Sequence, residues 1–186
     1  MYFPIVGFVV LFTLTHMRML PWNYKLWVLG SAFLFTIILP IIGIYLYRRV
    51  SGLASYQLRH RHHRLWPYLV SQLCYVSYLK VMHDLRLPHF MNGIIVASLL
   101  IQGVCLLITM RWKISMHAAG VGGIIGALVA YGFIFFFNPV WWVCGAIILD
   151  GMVMTSRMIL RQHSLWQVLA GTLVGVVFGY LGIIIT

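Results

Sequence analysis

The chain predicts an all-α, polytopic transmembrane helical bundle of six or seven spans, and three features carry that expectation. Of 186 residues, 62% are hydrophobic and only 8% charged, with a mean hydropathy of +0.97. Too little polar surface remains to coat a water-facing domain. The apolar residues gather into seven runs, most near the ~20 residues that a helix needs to cross a hydrocarbon core of ~30 Å. Aromatic residues with a polar edge (Trp22, Trp66, Tyr68, Trp112, Trp141, Trp142, Trp166) stand near run ends, where such rings anchor helices at the lipid–water boundary.

The first run, 2–17, is the weakest; it holds Pro4 and is expected to be short or re-entrant. No cleavable signal is expected, because Tyr2-Phe3-Pro4 offers neither a basic segment nor a small-residue cleavage site. Runs 26–47 and 65–82 flank the one long polar stretch, 48–64, which carries Arg48, Arg49, Arg59, Arg61, Arg64 and three histidines. Tyr56, Leu58 and Leu65 would let that stretch lie on the headgroup layer as an interfacial helix. Runs 90–110, 116–137, 140–160 and 165–185 follow, joined by a few residues each. Pro21, Pro40, Pro88 and Pro139 fall at or near ends and kinks, as a residue without an N–H should. The whole reads as one domain, 1–186, with its polar motifs in 111–186.

If every run spans, 48–64, 111–116 and 161–164 share one face, which then holds nine of the 13 Lys+Arg. The positive-inside rule would make that face cytoplasmic in a cell inner membrane. Setting aside 61, 64, 111, 113 and 157 as candidate anion ligands leaves four cations on each side. The count then sets no orientation.

Charge narrows the function classes. A formal +11 arises from 13 Lys+Arg against Asp84 and Asp150 alone. In a membrane chain that excess points to lipid headgroups or an anionic lipid substrate, not to nucleic acid. Two carboxylates far apart cannot bridge a metal pair. Cys74, Cys105 and Cys144 lack ligand spacing, and the arginines interleaved in His60-Arg61-His62-His63-Arg64 repel a cation. No metal or cofactor is expected. Asp150 has two readings, a partner for Arg157 two turns away or a protonated packing acid.

Small residues form two stripes. Gly171, Gly175, Gly179 and Gly182 line the last run, and Ala119, Gly122, Gly123 and Gly126 the fifth. Such stripes let helices approach closely in lipid, so these two runs are expected to pack together.

That pairing matters because both runs open on a histidine within a polar motif: Lys113-x-Ser115-x-His117, and Ser156-Arg157 followed by His163 and Gln167. A helix N-terminus presents free N–H groups and positive dipole, a ready anion site. Lys113 adds an ammonium, and Arg157 a planar fork suited to two phosphate oxygens. A neutral imidazole can attack phosphorus while a second protonates the leaving oxygen. Ser164-x-x-Gln167 also matches a capping box, so Gln167 is either a cap or the residue that orients His163.

The segment Ser156-Arg157-Met-Ile-Leu-Arg-Gln-His163-Ser-Leu-Trp-Gln167-Val-Leu-Ala-Gly171 resembles the third signature of the type 2 phosphatidic acid phosphatase family. Lys113-Ile-Ser115-Met-His117-Ala-Ala-Gly120 resembles a divergent form of its second. Arg61-His-His-Arg64-Leu-Trp-Pro67-Tyr68 is similar to a stretch found in short bacterial members. The resemblance implies a haloperoxidase-like helical core and a metal-independent lipid phosphatase. It implies His163 as nucleophile, forming a phosphohistidine, and His117 as the acid that protonates the leaving alcohol. It makes Lys113, Ser115 and Arg157 phosphate ligands and places Gln167 where the family generally has an orienting Asp. The family's first signature is absent; Lys80, Arg86 and Pro88 are one residue short of it and on the wrong face. Arg61 and Arg64 lie on the right face to substitute. Expected substrates are phosphatidic acid, phosphatidylglycerol phosphate, isoprenyl diphosphate or lipid A phosphate. The competing expectations are a lipid phosphotransferase and a non-catalytic lipid-phosphate binder or transporter.

Overall fold

The computed structural model describes residues 3–14, 19–50 and 61–186, with side chains for all of these except 47, 48, 50 and 61–66. Among the described residues the chain is helices and short turns, with no strand. The helices are α1 (Phe3–Leu14), α2 (Trp22–Phe33), α3 (Leu39–Val50), α4 (Arg61–Asp84), α5 (His89–Arg111), α6 (Met116–Phe135), α7 (Val140–Ile159) and α8 (Leu165–Ile184).

Proline sets several of these boundaries. Pro21, Pro88 and Pro139 are the N-caps of α2, α5 and α7, positions where the missing N–H costs nothing. Pro40 does not end its helix. Between α2 and α3 the backbone widens into a π-helical stretch, Leu34–Ile38, and continues through Pro40. The wider turn accommodates a residue that cannot donate to the preceding turn. Buried Thr36 donates its hydroxyl to the Ala32 carbonyl at 2.7 Å within that stretch.

Among the described residues five helices have the length and apolarity to cross a bilayer: Trp22–Leu46, His89–Arg111, Met116–Phe135, Val140–Ile159 and Leu165–Ile184. The chain is therefore a multi-pass membrane protein. Two of the seven expected runs differ from these five. Helix α1 has 12 described residues, ~18 Å at helical rise against a ~30 Å core; the rest of the first expected run, residues 2 and 15–17, lies outside the described residues. Helix α4, with 24 residues, is long enough to span but more polar than the five. Residues 51–60, most of the expected interfacial stretch, lie outside the described residues.

At the centre, α6 and α8 run parallel with their backbones in contact. A Cβ added at Gly175 would lie 2.2 Å from the Ala119 carbonyl oxygen, one at Gly179 2.5 Å from that of Gly123, and one at Gly122 2.3 Å from that of Thr172. Only glycine permits this approach. The expected pairing of the two small-residue stripes is thus present. Gly182, the stripe's last member, faces Ala97 of α5 instead. Helix α1 packs over α5 and α6, Gly7 against Ile94 and the Phe3 ring against Gly123.

Because α6 and α8 are parallel, both begin at the same end of the bundle. The chain enters that end from α5 and from α7. Every polar motif outside 48–64 is thereby gathered at one pole.

Candidate functional site at the paired helix N-termini

Ser115 caps α6: its Oγ accepts from the Ala118 N–H at 3.4 Å, and the residue is completely buried. That bond uses a lone pair and leaves the hydroxyl proton over. The Ser115 N–H donates to the Gln167 carbonyl oxygen at 3.3 Å. One free amide of α6 is thus joined to the first turn of α8, and the two N-termini are pinned side by side. Gly171 completes the join, since a Cβ there would come within 2.6 Å of the Ser115 carbonyl oxygen.

The link from α7 to α8 folds back on the end of α7. Arg161 takes a left-handed φ of 50°, and the Gln162 N–H donates to the Arg157 carbonyl at 3.1 Å. This places Gln162 between the two candidate phosphate-binding cations. Arg157 Nη1 donates to Gln162 Oε1 at 2.7 Å, while Lys113 Nζ donates to the Gln162 carbonyl oxygen at 2.5 Å. Lys113, expected as a mobile ammonium, is tethered across the helix pair.

Gln167 resolves into more than either reading assigned to it. Its Oε1 accepts from the Ser164 N–H at 3.2 Å and lies 3.3 Å from His163 Nδ1. One carbonyl oxygen has two lone pairs and can serve both, so capping and ring orientation are not exclusive. The arrangement also fixes the histidine tautomer. A backbone N–H can only donate, so the atom it faces is the amide oxygen, not the nitrogen. That oxygen can only accept, so when the ring is neutral Nδ1 carries its proton and Nε2 the lone pair.

His117, in the first turn of α6, is exposed and close enough to feel the charges of Arg157 and His163. It also forms part of the wall of a cavity of about 270 Å³ between α1, α4, α5 and α6. Pro67 and Tyr68 of α4 are in that wall too; Tyr68, expected as an interface anchor, is partly buried inside the bundle. Trp22, Trp112, Trp141, Trp142 and Trp166 are exposed, as anchors should be. Arg61 and Arg64 are in the first turn of α4. They stand seven and four residues before Tyr68, positions on the same helix face. Their side chains lie outside the described residues.

Asp150 does not join the site. It is buried and accepts from the Thr172 hydroxyl at 2.8 Å, an α7–α8 packing contact, while Arg157 is bonded to Gln162. Its other oxygen has no hydrogen-bond partner among the described residues. Among the described residues no three His, Cys, Asp or Glu side chains converge. Sequence reasoning missed Gln162, which is one of five intervening positions in the third motif. A sequence signal existed only in its place immediately before His163, where any loop residue would have looked equivalent.

Fold and site together define a multi-pass helical membrane protein with two histidines, a lysine and an arginine assembled at one pole. Compared with protein-family models, curated proteins and solved structures, the chain matches none.

Proposed function

We propose that the chain is an integral membrane lipid phosphatase of the type 2 phosphatidic acid phosphatase kind, acting without metal on a lipid phosphomonoester or diphosphate. One observation carries the reading. The Ser115–Gln167 backbone bond holds two helix N-termini together, and with them His117, His163, Lys113 and Arg157. That bond brings together two pairs, Lys113 with His117 and Arg157 with His163, that are some forty residues apart in the chain.

The chemistry follows from the tautomer. Nε2 of His163 attacks phosphorus, and the bond to the lipid oxygen breaks. That oxygen takes the electron pair and a proton from the His117 imidazolium. Water then attacks the phosphohistidine and gives a proton to His117, while the P–N bond breaks and its pair returns to His163. Inorganic phosphate leaves and both rings regain their starting states. Lys113, Arg157 and the α6 and α8 amides stabilise charge on the transferring group. Arg61 and Arg64 of α4 are the proposed substitutes for the family's absent first signature. In this reading α4 is a sixth span, α1 enters only partway, and the protein resides in the cell inner membrane.

Phosphate release by purified protein from a panel of lipid phosphates tests the proposal. Turnover lost in His163→Ala and retained in EDTA is the expected result. Lipid binding without release, equal in both forms, would instead identify a binder or transporter. That second reading draws support from Gln167, whose neutral amide offers the imidazolium no counter-charge.

A further inference from the structure

The cavity beside His117 is not uniformly apolar. Besides His117 and Tyr68, four polar side chains stand in its wall: Ser71 and Tyr75 from α4, Ser98 and Gln102 from α5. Two are satisfied within their own helices. Ser71 Oγ donates to the Pro67 carbonyl at 2.8 Å and Ser98 Oγ to that of Ile94 at 2.6 Å. The other two are not. Gln102 is 7% exposed and Tyr75 2%, and neither the carboxamide nor the hydroxyl has a hydrogen-bond partner among the described residues. Native interiors rarely leave such groups unpaired without a ligand or water to serve them.

Their depth is defined by α6. Gly120, which shares the cavity wall, lies three residues below His117, ~4.5 Å at helical rise. Ile101, next to Gln102, packs against Gly123, a further turn down. The unpaired amide is therefore one to two turns beneath the imidazole, on the side where a lipid would extend from a phosphate held at the pole. The cavity's volume of about 270 Å³ is many times the ~10–15 Å³ that a single water requires. That is room for a lipid's linker and the start of its chains, not for whole tails.

Resting on the reading that His117 and His163 handle a lipid phosphate, we propose that this cavity is the linker subsite. Gln102 and Tyr75 donate hydrogen bonds there to acyl carbonyl oxygens, so the ligand class is an ester- or amide-linked acyl lipid phosphate. In such lipids a carbonyl follows the phosphate within a few bonds. A polyprenyl phosphate has only hydrocarbon at that depth and would leave both donors buried and unpaired, the mismatch that discriminates most strongly between ligands.

The test compares a dioctanoylglycerol phosphate with its dioctyl ether analogue, which has the same charge and shape but no carbonyls, and with a polyprenyl monophosphate. Dissociation constants are measured on His163→Ala protein in dodecyl maltoside, where no turnover intervenes. The ester is expected to bind about tenfold tighter than the ether, the effect of one or two buried hydrogen bonds. Adding Gln102→Met is expected to bring that ratio close to unity with ether affinity unchanged. Tyr75→Phe, which removes one hydroxyl and keeps the ring, is expected to lower the ratio about threefold and decides the matter if Gln102→Met does not fold. Equal ester and ether affinity, a ratio unchanged by the variants, or tightest binding of the polyprenyl phosphate would overturn the proposal. A protein that shows the ester preference but releases phosphate from no lipid loses the enzymatic reading and keeps this one. One that hydrolyses ester and ether alike does the reverse.

Discussion

Gln167 Oε1 serves two donors, and that double duty makes its substitutions informative. Gln167→Ala removes the arm of the capping box that satisfies the Ser164 N–H and frees the His163 ring. A loss of about 1 kcal/mol in stability is expected, together with a fall in turnover larger than that loss explains. Gln167→Glu keeps the reach to both donors, adds a favourable negative charge in the first turn of α8 and supplies a counter-charge to the imidazolium. A higher melting temperature and a higher plateau rate are expected. Because the carboxylate holds the ring's proton more tightly and the attacking form is neutral, the acid limb of the pH–rate profile should move to higher pH. Gln167→Asp is one methylene shorter. It is expected to raise the plateau rate only if it still reaches Nδ1; lower thermal stability with no gain in rate would show that the cap is the dominant role. Lipid phosphate release and thermal melting of the same preparations give both readouts.

At the scale of the helix, the site depends on how closely α6 and α8 approach. Gly175→Val would drive a Cβ and two methyls into the Ala119 carbonyl, which is backbone and cannot swing aside. The pair must part by an ångström or more, carrying His117 away from His163. Protein that melts at a markedly lower temperature, or fails to fold, is the expected outcome. Gly145→Ala and Gly151→Ala, where an added Cβ meets nothing within 4 Å, are the controls. They should match or exceed the parent in stability, by up to ~1 kcal/mol each from helix propensity. Equal melting of all three variants would disprove close packing as the pole's support. The same stripes explain why so much was legible beforehand: length and apolarity located each long helix to within a few residues, and four-residue glycine spacing paired two of them. Less legible were α4, whose tyrosines, serines and glutamine dilute its hydropathy, and the cavity wall. Tyr75 and Gln102 come from different helices and belong to no motif, and only the antiparallel α4–α5 contact, with Gln72 donating to the Leu99 carbonyl at 3.3 Å, brings them to one cavity. Gln162 was invisible for a different reason, since its role arises from a left-handed turn at Arg161 that no glycine announced.

For the whole molecule, the proposed function requires that both motifs face one side of the bilayer and that α4 cross it. The parallel pairing of α6 and α8 answers the first requirement geometrically, and it fixes the parity of the spans between them: α6 leads away from the pole and α7 returns. For α4 the corresponding argument is its short connection to α5. Arg86, with φ 50°, turns the chain between two antiparallel helices, and α5 ends at the pole. The start of α4, with Arg61 and Arg64, then belongs at the pole as well, ~36 Å from its end at helical rise. Cysteine accessibility in sealed vesicles tests all of this at once, on a background in which Cys74, Cys105 and Cys144 are changed to alanine. Trp112→Cys and Gln162→Cys should react with a membrane-impermeant maleimide from one side, and Leu85→Cys and Phe136→Cys from the other. Ser55→Cys, ahead of α4, should share the side of Gln162→Cys. Should Ser55→Cys and Leu85→Cys instead react together, α4 lies along the membrane and the spans number five. Labelling of Trp112→Cys and Gln162→Cys from opposite sides would part Lys113 from its bond to Gln162 by a bilayer, and the phosphate site would have no place to form.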